Sequence, residues 1–380
     1  MRSPFVTCCP ALVLVAAFVA LSPPVTAQAL GGCLAWGDQH DINARLQGPG
    51  AVVELCPNAF FELTGPVVFT ADGQRLTTQG QPNDDRRAVL RVTGSGQTTA
   101  VVMIDRSHVE LSHLVIDGNR PQLGYREGEA LVFAGGVARG QVIRANRILE
   151  PRSWSALQVH EGPPPRCRGA VVEDNEIGPA GMDDGTWADG ISFACLDGVV
   201  RRNTIVDATD GAIVVFGAAG SVIEDNRVVA RERTLLGAIH LVSFGPYDGD
   251  YRGTVVRSNV IEADGSLIRI GIAMGEPTWI CADSVEQIAR HTLFGATVTD
   301  NVLRGAPFQY GFVVDAVRDW TVTGNRSEAT HAGVPANGCR ERLASPPAAF
   351  LIERSRADGI FQDEFRDGVV ELAVGAVPTP

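Results

Sequence analysis

The sequence contains no lysine, so all 32 of its basic residues are arginines, and they stand against 44 acidic residues. Lysine is therefore absent from the possible catalytic bases. The formal net charge of −12 argues against a nucleic-acid partner, because the phosphates of nucleic acids demand a basic face. The same charge disfavours a bare polyanionic substrate, unless a cation or a local cluster of arginines intervenes.

Long hydrophobic runs are also missing after the N-terminus. The one clear run, ALVLVAAFVAL from Ala11 to Leu21, follows Arg2 and precedes the small-residue segment VTAQA. This order is typical of a secretory signal peptide, which we place at residues 1–27. The run is shorter than the roughly 20 residues of a membrane span. We therefore expect a secreted, extracellular protein with no membrane partner and one domain over residues 28–380.

No two cysteines are spaced as CxxC, which makes a metal cluster the weaker interpretation of the eight cysteines. Two of them lie in the signal peptide, and the remaining even number suggests disulfide bonds in an oxidising compartment. Pairing in sequence order is the simplest hypothesis, although the sequence cannot fix it. It would join Cys33 to Cys56, Cys167 to Cys195, and Cys281 to Cys339.

One phrase recurs along the chain: two apolar residues, two polar residues, an asparagine, any residue, and an apolar residue. Its copies include VIRANRI, VVEDNEI, VVRRNTI, VIEDNRV, VVRSNVI and TVTDNVL, with a worn copy TVTGNRS. The asparagines are 23 to 42 residues apart, within the range of about 20 to 45 for solenoid repeats. They are Asn146, Asn175, Asn203, Asn226, Asn259, Asn301 and Asn325. Each could bond to the next as an internal ladder, or could be a turn former that tolerates left-handed backbone angles.

A second strand-like segment follows each copy, for example SALQVHEG and DGAIVVFG, with no helix-length periodic segment between them. The sequence therefore predicts an all-β fold, a single-stranded right-handed parallel β-helix with a short N-terminal cap. We expect irregular first coils over 33–100, regular coils over about 100–360 and a tail over 370–380. The segment from Asp41 to Leu55 is predicted as a short amphipathic helix leading into the first strand, a cap that is needed because an open solenoid end exposes backbone edges.

The repeat resembles the pectate-lyase-like β-helix superfamily over roughly residues 33–370. That superfamily includes pectate lyases, rhamnogalacturonases and polygalacturonases. The resemblance implies carbohydrate chemistry in a groove along one face of the strands, and hence a polysaccharide or oligosaccharide as substrate. Such solenoids are usually capped monomers, so a monomer is expected.

Candidate catalytic residues lie in the second strand of successive repeats. Asp189 and Asp210 each precede a glycine, in WADGISF and ATDGAIVVF, and the two aspartates are 21 residues apart. Stacked on adjacent coils, their carboxylates would repel, which raises one pKa and can make an acid and a base from like residues. His240 and Arg269 follow 30 and 29 residues later, in equivalent strands.

The order of these four residues resembles that of polygalacturonases, whose motifs run NTD, DD, GHG and RIK. The resemblance implies hydrolysis, with one aspartate as proton donor to the leaving oxygen and the other as base for water. His240 would orient a carboxylate or the sugar, and Arg269 would hold a substrate hydroxyl or carboxylate. Thr209 and Gly271 depart from the motifs at the first aspartate of DD and at the lysine of RIK, which puts a galacturonate substrate in doubt.

Aromatic and basic residues near these strands are candidates for substrate binding, because aromatic faces suit the apolar sides of sugars. The candidates are Trp187, His160, Tyr247, Tyr251 and Arg233.

Two other functions fit the same residues. In a pectate-type lyase, Ca²⁺ held by Asp183, Asp184 and Asp207 would acidify a uronate, and Arg231, Arg233 or Arg269 would be the base. A non-catalytic β-solenoid that binds glycans is the third possibility. No cofactor is expected outside the calcium-dependent alternative.

Overall fold

The computed structural model describes residues 32–243, 247–279, 292–333 and 344–368. The predicted signal peptide, the predicted Cys281–Cys339 pair and the predicted tail over 370–380 lie outside these residues. Among the described residues, no helix is both long enough and apolar enough to cross a membrane.

The chain enters the fold through a short helix, α1, over Gln39–Arg45. The side chain of Asp38 caps it by accepting hydrogen bonds from the first-turn backbone amides. The predicted short helix leading into the first strand is confirmed, with α1 starting two residues before Asp41. The segment QGPG, which contains Gly48 and Gly50 with positive φ, separates it from the strand Val52–Leu55, whose buried and exposed residues alternate.

A second short helix, α2, covers Arg120–Leu123, and single 3₁₀ turns cover Glu276–Thr278 and Arg354–Arg356. All other regular structure in the described part of the chain is strand. In chain order the strands are β1 Val52–Leu55, β2 Phe60–Leu63, β3 Val67–Val68, β4 Arg75–Thr78, β5 Ala88–Val92, β6 Val101–Val102, β7 Glu110–Ser112, β8 Leu114–Asp117, β9 Val132–Gly135, β10 Val142–Arg144, β11 Arg147–Leu149, β12 Ser155–His160, β13 Val171–Glu173, β14 Glu176–Ile177, β15 Asp189–Phe193, β16 Val199–Arg201, β17 Thr204–Val206, β18 Gly211–Val215, β19 Val222–Glu224, β20 Arg227–Ala230, β21 Leu235–Leu241, β22 Val255–Arg257, β23 Val260–Met274, β24 Leu293–Phe294, β25 Thr297–Thr299, β26 Val302–Val314, β27 Val317–Thr323, β28 Arg326–His331, β29 Phe350–Ile352, β30 Ala357–Phe361 and β31 Arg366–Asp367.

These strands form two long parallel sheets. In the regular coils each turn of the chain contributes one strand to the first sheet and two to the second, as in β10, β11 and β12, followed by β13, β14 and β15. Strands that are three apart in sequence are therefore hydrogen-bonded neighbours. This winding is the right-handed parallel β-helix that the repeat predicts, and it confirms the predicted fold class.

The core is built from residues of like type stacked one coil above another. Ile191, Ile213, Ile239 and Ile272 are register partners in turn, followed by Phe312, and all are fully buried. At every coil one of these side chains removes more apolar area from water, and this burial is the main source of stability in such a stack.

The recurrent asparagines form the internal ladder. The side-chain amide of each donates to the side-chain oxygen of the next, from Asn146 to Asn325, at 2.9–3.2 Å. The left-handed residue is the one before each asparagine, such as Asp174, Arg202 and Asp225. The ladder interpretation is thus confirmed over the turn-former interpretation.

Among the described residues there are two disulfides, Cys33–Cys56 and Cys167–Cys195, as sequence order predicts. The first joins the entry segment to the end of β1. The second ties the segment before β13 to the segment that follows β15, one coil on.

Candidate active site

Asp189 opens β15 with a side chain that is only 5% exposed. One carboxylate oxygen, Oδ2, accepts a hydrogen bond from the Ser192 hydroxyl at 2.7 Å. The other, Oδ1, accepts one from the Gly211 backbone amide at 2.9 Å. Ser192 also lies 2.8 Å from the Ser155 hydroxyl, so a short polar network holds this carboxyl group in place.

Asp210 lies on the next coil but is offset by one position from the expected alignment. Ile191 pairs with Ile213, which sets Asp189 level with Gly211 rather than with Asp210. The two Asp-Gly pairs, which look equivalent in the sequence, are therefore one residue out of register in the structure. The structure still brings the two aspartates into electrostatic contact on adjacent coils.

Both carboxyl groups have raised pKa values. Burial, followed by the charge of Asp210, raises the pKa of Asp189 well above its ordinary value, although the bonds from Ser192 and Gly211 oppose this. Burial raises the pKa of Asp210 to about 6. Asp210 is the more exposed of the two, and its buried Oδ1 accepts no hydrogen bond from the described residues. A pair of this kind can hold one proton near neutral pH.

His240 lies one coil beyond Asp210 and is fully buried. Gly211 lies between Asp189 and His240: a Cβ on Gly211 would be 3.1 Å from Oδ1 of Asp189 and 3.3 Å from Nδ1 of His240. Burial lowers the pKa of His240 to about 3, so its imidazole is neutral. Neither ring nitrogen has a hydrogen-bond partner among the described residues. Asp189, Asp210 and His240 thus lie on three successive coils, with Gly211 between Asp189 and His240.

An apolar cluster lies beside His240. The ring of Trp279 lies against the imidazole at a tilt of 48°, with centroids 3.8 Å apart. Trp279 and Trp187 both pack against a buried set on the same outer face. That set is Leu236, Ile270, Ala273, Tyr310, Val313, Ala344 and Leu351.

Arg269 is not level with His240, whose register partner is Ala273. It is level with Leu236 and hence with Asp210, two coils away. The Arg269 side chain is half-buried, and burial lowers its pKa. It forms no hydrogen bond or ion pair with the described residues, which leaves a cation free to meet a substrate group.

A pocket of about 190 Å³ opens on the other side of the aspartates. Its lining includes Trp154, Gln158, His160, Glu161 and Ser192. The Ser192 hydroxyl connects this pocket directly to the Asp189 carboxyl group. His160, a predicted substrate-binding residue, therefore does line a cavity next to the paired carboxyl groups.

The other predicted binding residues have different surroundings. Tyr247 and Tyr251 are buried, and their hydroxyls donate to backbone carbonyls of the coil, so the prediction that they stack on sugars is wrong. Arg233 forms an ion pair with Glu150 at 3.0 Å and does not face the aspartates as a free cation. Trp187 is partly exposed beside the apolar cluster and is the one of these four that remains accessible.

The predicted calcium ligands are not gathered into a site. Within the described ranges, no group of three or more His, Cys, Asp or Glu side chains is arranged to hold a metal ion. Oδ1 of Asp207 accepts from three backbone amides, at 2.7, 2.9 and 3.3 Å, which satisfies that oxygen without a cation. Asp183 accepts from the amide of Thr234, and Asp184 from that of Thr186.

Sequence reasoning missed Gln158, Ser192, Trp154 and Glu161. Gln158 and Ser192 are register partners, and Val214 and His240 continue the same column. The signal that could have found them is this register, because one column of outward-facing residues runs past the aspartates. An isolated Gln or Ser in a strand carries no such information.

No protein-family model matches the chain, and no curated protein matches it. Solved structures do share its architecture. An alginate lyase from Paenibacillus sp. strain FPU-7 is 12% identical with a TM-score of 0.54, covering 79% of this chain and 96% of that one. DFA-IIIase from Arthrobacter chlorophenolicus A6 is 14% identical (TM-score 0.46), covering 90% and 93%. Endopolygalacturonase I from Stereum purpureum is 11% identical (TM-score 0.27), covering 84% and 90%.

At these identities the likeness concerns the backbone and not the chemistry. The alginate lyase, with its TM-score above 0.5, agrees with the parallel sheets of this chain. The chain therefore has a right-handed parallel β-helix fold.

Proposed function

We propose that this chain is a secreted carbohydrate-active enzyme that hydrolyses a glycosidic bond in a polysaccharide or oligosaccharide. The observation that carries the proposal is the pair Asp189 and Asp210, two carboxyl groups with raised pKa values on adjacent coils. The superfamily fold, which also carries the alginate lyase and the endopolygalacturonase, supports carbohydrate as the substrate. Two disulfides and the apolar run near the N-terminus support secretion.

The two carboxyl groups have environments that suit different roles. Asp189 is the more deeply buried and feels the charge of its neighbour, so it keeps the proton when Asp210 has lost its own. In the proposed reaction Asp189 gives that proton to the leaving glycosidic oxygen. Asp210 takes a proton from the water that attacks the anomeric carbon. The bond from the anomeric carbon to the leaving oxygen breaks, and both products carry hydroxyl groups.

Neighbouring residues would position the sugar and the carboxyl pair. His240 is neutral and fully buried, and its ring lies close to Asp189 across Gly211, so it would position the carboxyl pair rather than contact the sugar. Arg269 is a free donor two coils from Asp210. Ser192 links the buried Asp189 to the pocket and gives the proton a path to it.

The test measures products and variants together. Purified protein is incubated with a polysaccharide panel, and new reducing ends should appear without the ultraviolet absorbance of an unsaturated uronide. Asp189→Asn and Asp210→Asn should each lower kcat by about 100-fold or more, the usual contribution of a general acid or base. Asp225→Asn is the matched control, because Asp225 is an exposed aspartate on a neighbouring coil. Full activity in both test variants would refute the assignment.

A second candidate, β-elimination on a uronate, is favoured by one observation. Arg269 is half-buried, has a lowered pKa and forms no ion pair with the described residues, as an arginine acting as base requires. In that reaction Arg269 would remove the proton beside the uronate carboxylate, and the glycosidic oxygen would leave. Products would then absorb in the ultraviolet, and Arg269→Gln would abolish that absorbance while Asp210→Asn would not.

A further inference from the structure

The pocket beside Asp189 is formed by three successive coils. Trp154, Gln158 and His160 come from the coil of β12, Ser192 from β15, and Phe216 follows β18. Its volume of about 190 Å³ is small. It shares Ser192 with the carboxyl pair, so a molecule held in it would lie next to the reacting groups.

The charge of this pocket has one sign. Glu161 lines it with a side chain that is 7% exposed, and its ion-pair partner is His160, 3.4 Å away. No arginine is among the lining residues, and the sequence has no lysine to reach in from elsewhere. A uronate carboxylate brought into this space would face the Glu161 carboxylate, and no arginine lines the pocket to neutralise it.

The remaining lining suits an uncharged ring with hydroxyl groups. Oε1 of Gln158 is buried and has no hydrogen-bond partner in the described parts of the chain, which is costly unless a ligand hydroxyl donates to it. The exposed Trp154 supplies an aromatic face for the apolar side of a sugar. Ser192 and His160 add hydroxyl and imidazole groups.

We infer that this pocket is a subsite for an uncharged sugar unit and rejects a uronate, which makes Trp154, Gln158 and Glu161 specificity-determining residues. The inference rests on the proposed function and extends it to the substrate class. It also weighs against β-elimination, because that reaction needs a uronate next to the reacting groups.

The test compares neutral oligosaccharides with their own oxidised forms. The probes are gluco-, manno- and galacto-tetrasaccharides in α and β linkage, and the same compounds oxidised to uronates at the primary hydroxyl. Isothermal titration calorimetry on the full chain carrying Asp210→Asn measures binding without turnover. At low salt we expect a neutral member to bind and its oxidised form to bind at least about 10-fold more weakly.

Two substitutions and two controls localise the effect. Trp154→Ala should weaken binding of the neutral ligand by about 10-fold. Glu161→Gln keeps the shape, and should improve binding of the oxidised form by about 10-fold while changing the neutral ligand by less than about 3-fold. Trp36→Ala and Glu62→Gln remove an exposed tryptophan and an exposed glutamate from the first coil and should change nothing. Circular dichroism reports whether each variant folds.

The outcomes separate this inference from the proposed function. If the expected binding pattern is found but the wild-type protein cleaves no substrate, the subsite is supported and the proposed hydrolase is overturned. If the protein cleaves a substrate but neither Trp154→Ala nor Glu161→Gln changes binding, the subsite is overturned and the proposed hydrolase is supported. Tighter binding of the oxidised forms, or no binding to any probe, would also overturn the subsite.

Discussion

The imidazole of His240 lies over the backbone of Gly237, on the same strand. It fills the space that a side chain at position 237 would otherwise occupy. A Cβ on Gly237 would be 1.7 Å from Nε2 of His240. Gly211, its register partner, leaves room in the same way for Asp189 and His240. Two stacked glycines therefore make the space in which the candidate catalytic groups meet.

Gly237→Ala should consequently displace the His240 ring. The new methyl group would overlap a buried ring, which we expect to lower the free energy of unfolding by about 1–3 kcal/mol. Catalytic efficiency should fall by about 10-fold or more, because this ring lies beside Asp189 across Gly211. Urea unfolding and kcat/KM measure the two effects. Gly96→Ala is the control, because a Cβ there would meet open space. Unchanged activity in Gly237→Ala would argue against a role for His240.

Asp210 should make the protein less stable as the pH rises. Its pKa is raised from 3.8 to about 6, so the folded state binds more protons than the unfolded state between these values. The contribution of Asp210 to the free energy of unfolding is therefore fully present below about pH 4, and it is lost as the pH rises through 6. The shift corresponds to about 3 kcal/mol at neutral pH.

Asp210→Asn removes this dependence. We expect the variant to gain stability over the wild type at pH 7.5 and to gain little at pH 4, because the wild-type carboxyl group is then protonated. Urea unfolding at both pH values measures the difference. Asp225→Asn, on an exposed carboxylate, should show no such pH-dependent gain. An equal gain at both pH values would mean that ionisation of Asp210 is not the cause.

The pH profile of activity should be bell-shaped. The rising limb of kcat/KM is expected near pH 6, where Asp210 ionises, and the falling limb at higher pH, where Asp189 loses its proton. Both limbs belong to the coupled pair. Ser192→Ala removes a donor that favours the ionised form of Asp189, so the falling limb should move to higher pH. Ser95→Ala, at an exposed serine, should leave both limbs in place.

The fold could be predicted from sequence because each coil repeats the same local chemistry. Asn203 and its equivalents recur at solenoid spacing, and each occupies a buried ladder position that tolerates few other side chains. The pairing of Cys167 with Cys195 followed from sequence order, because neighbours in a coiled path lie close together. The cap helix was predicted, but it starts two residues before Asp41, because the side chain of Asp38 caps its first turn.

The site could be predicted only in part because it depends on register, which varies with each turn. The Asp-Gly pairs suggested that Asp189 and Asp210 are level, but the chain enters β15 and β18 one residue apart. Tyr251 looked like a loop aromatic, yet its hydroxyl finds carbonyl partners inside the coil. Gln158 was overlooked because only its place in a column next to Ser192 gives it meaning.

The ladder itself predicts a large stability effect from a single amide. In Asn203→Ala, the backbone carbonyl of Val172 and the side-chain oxygen of Asn226 lose a donor, while the backbone and side-chain amides of Asn175 lose their acceptor. Because these groups are buried, each is left without water to replace the bond. We expect the free energy of unfolding to fall by about 3 kcal/mol or more. Asn83→Ala, at an exposed asparagine, is the control, and a similar small change in both variants would show that the ladder contributes little.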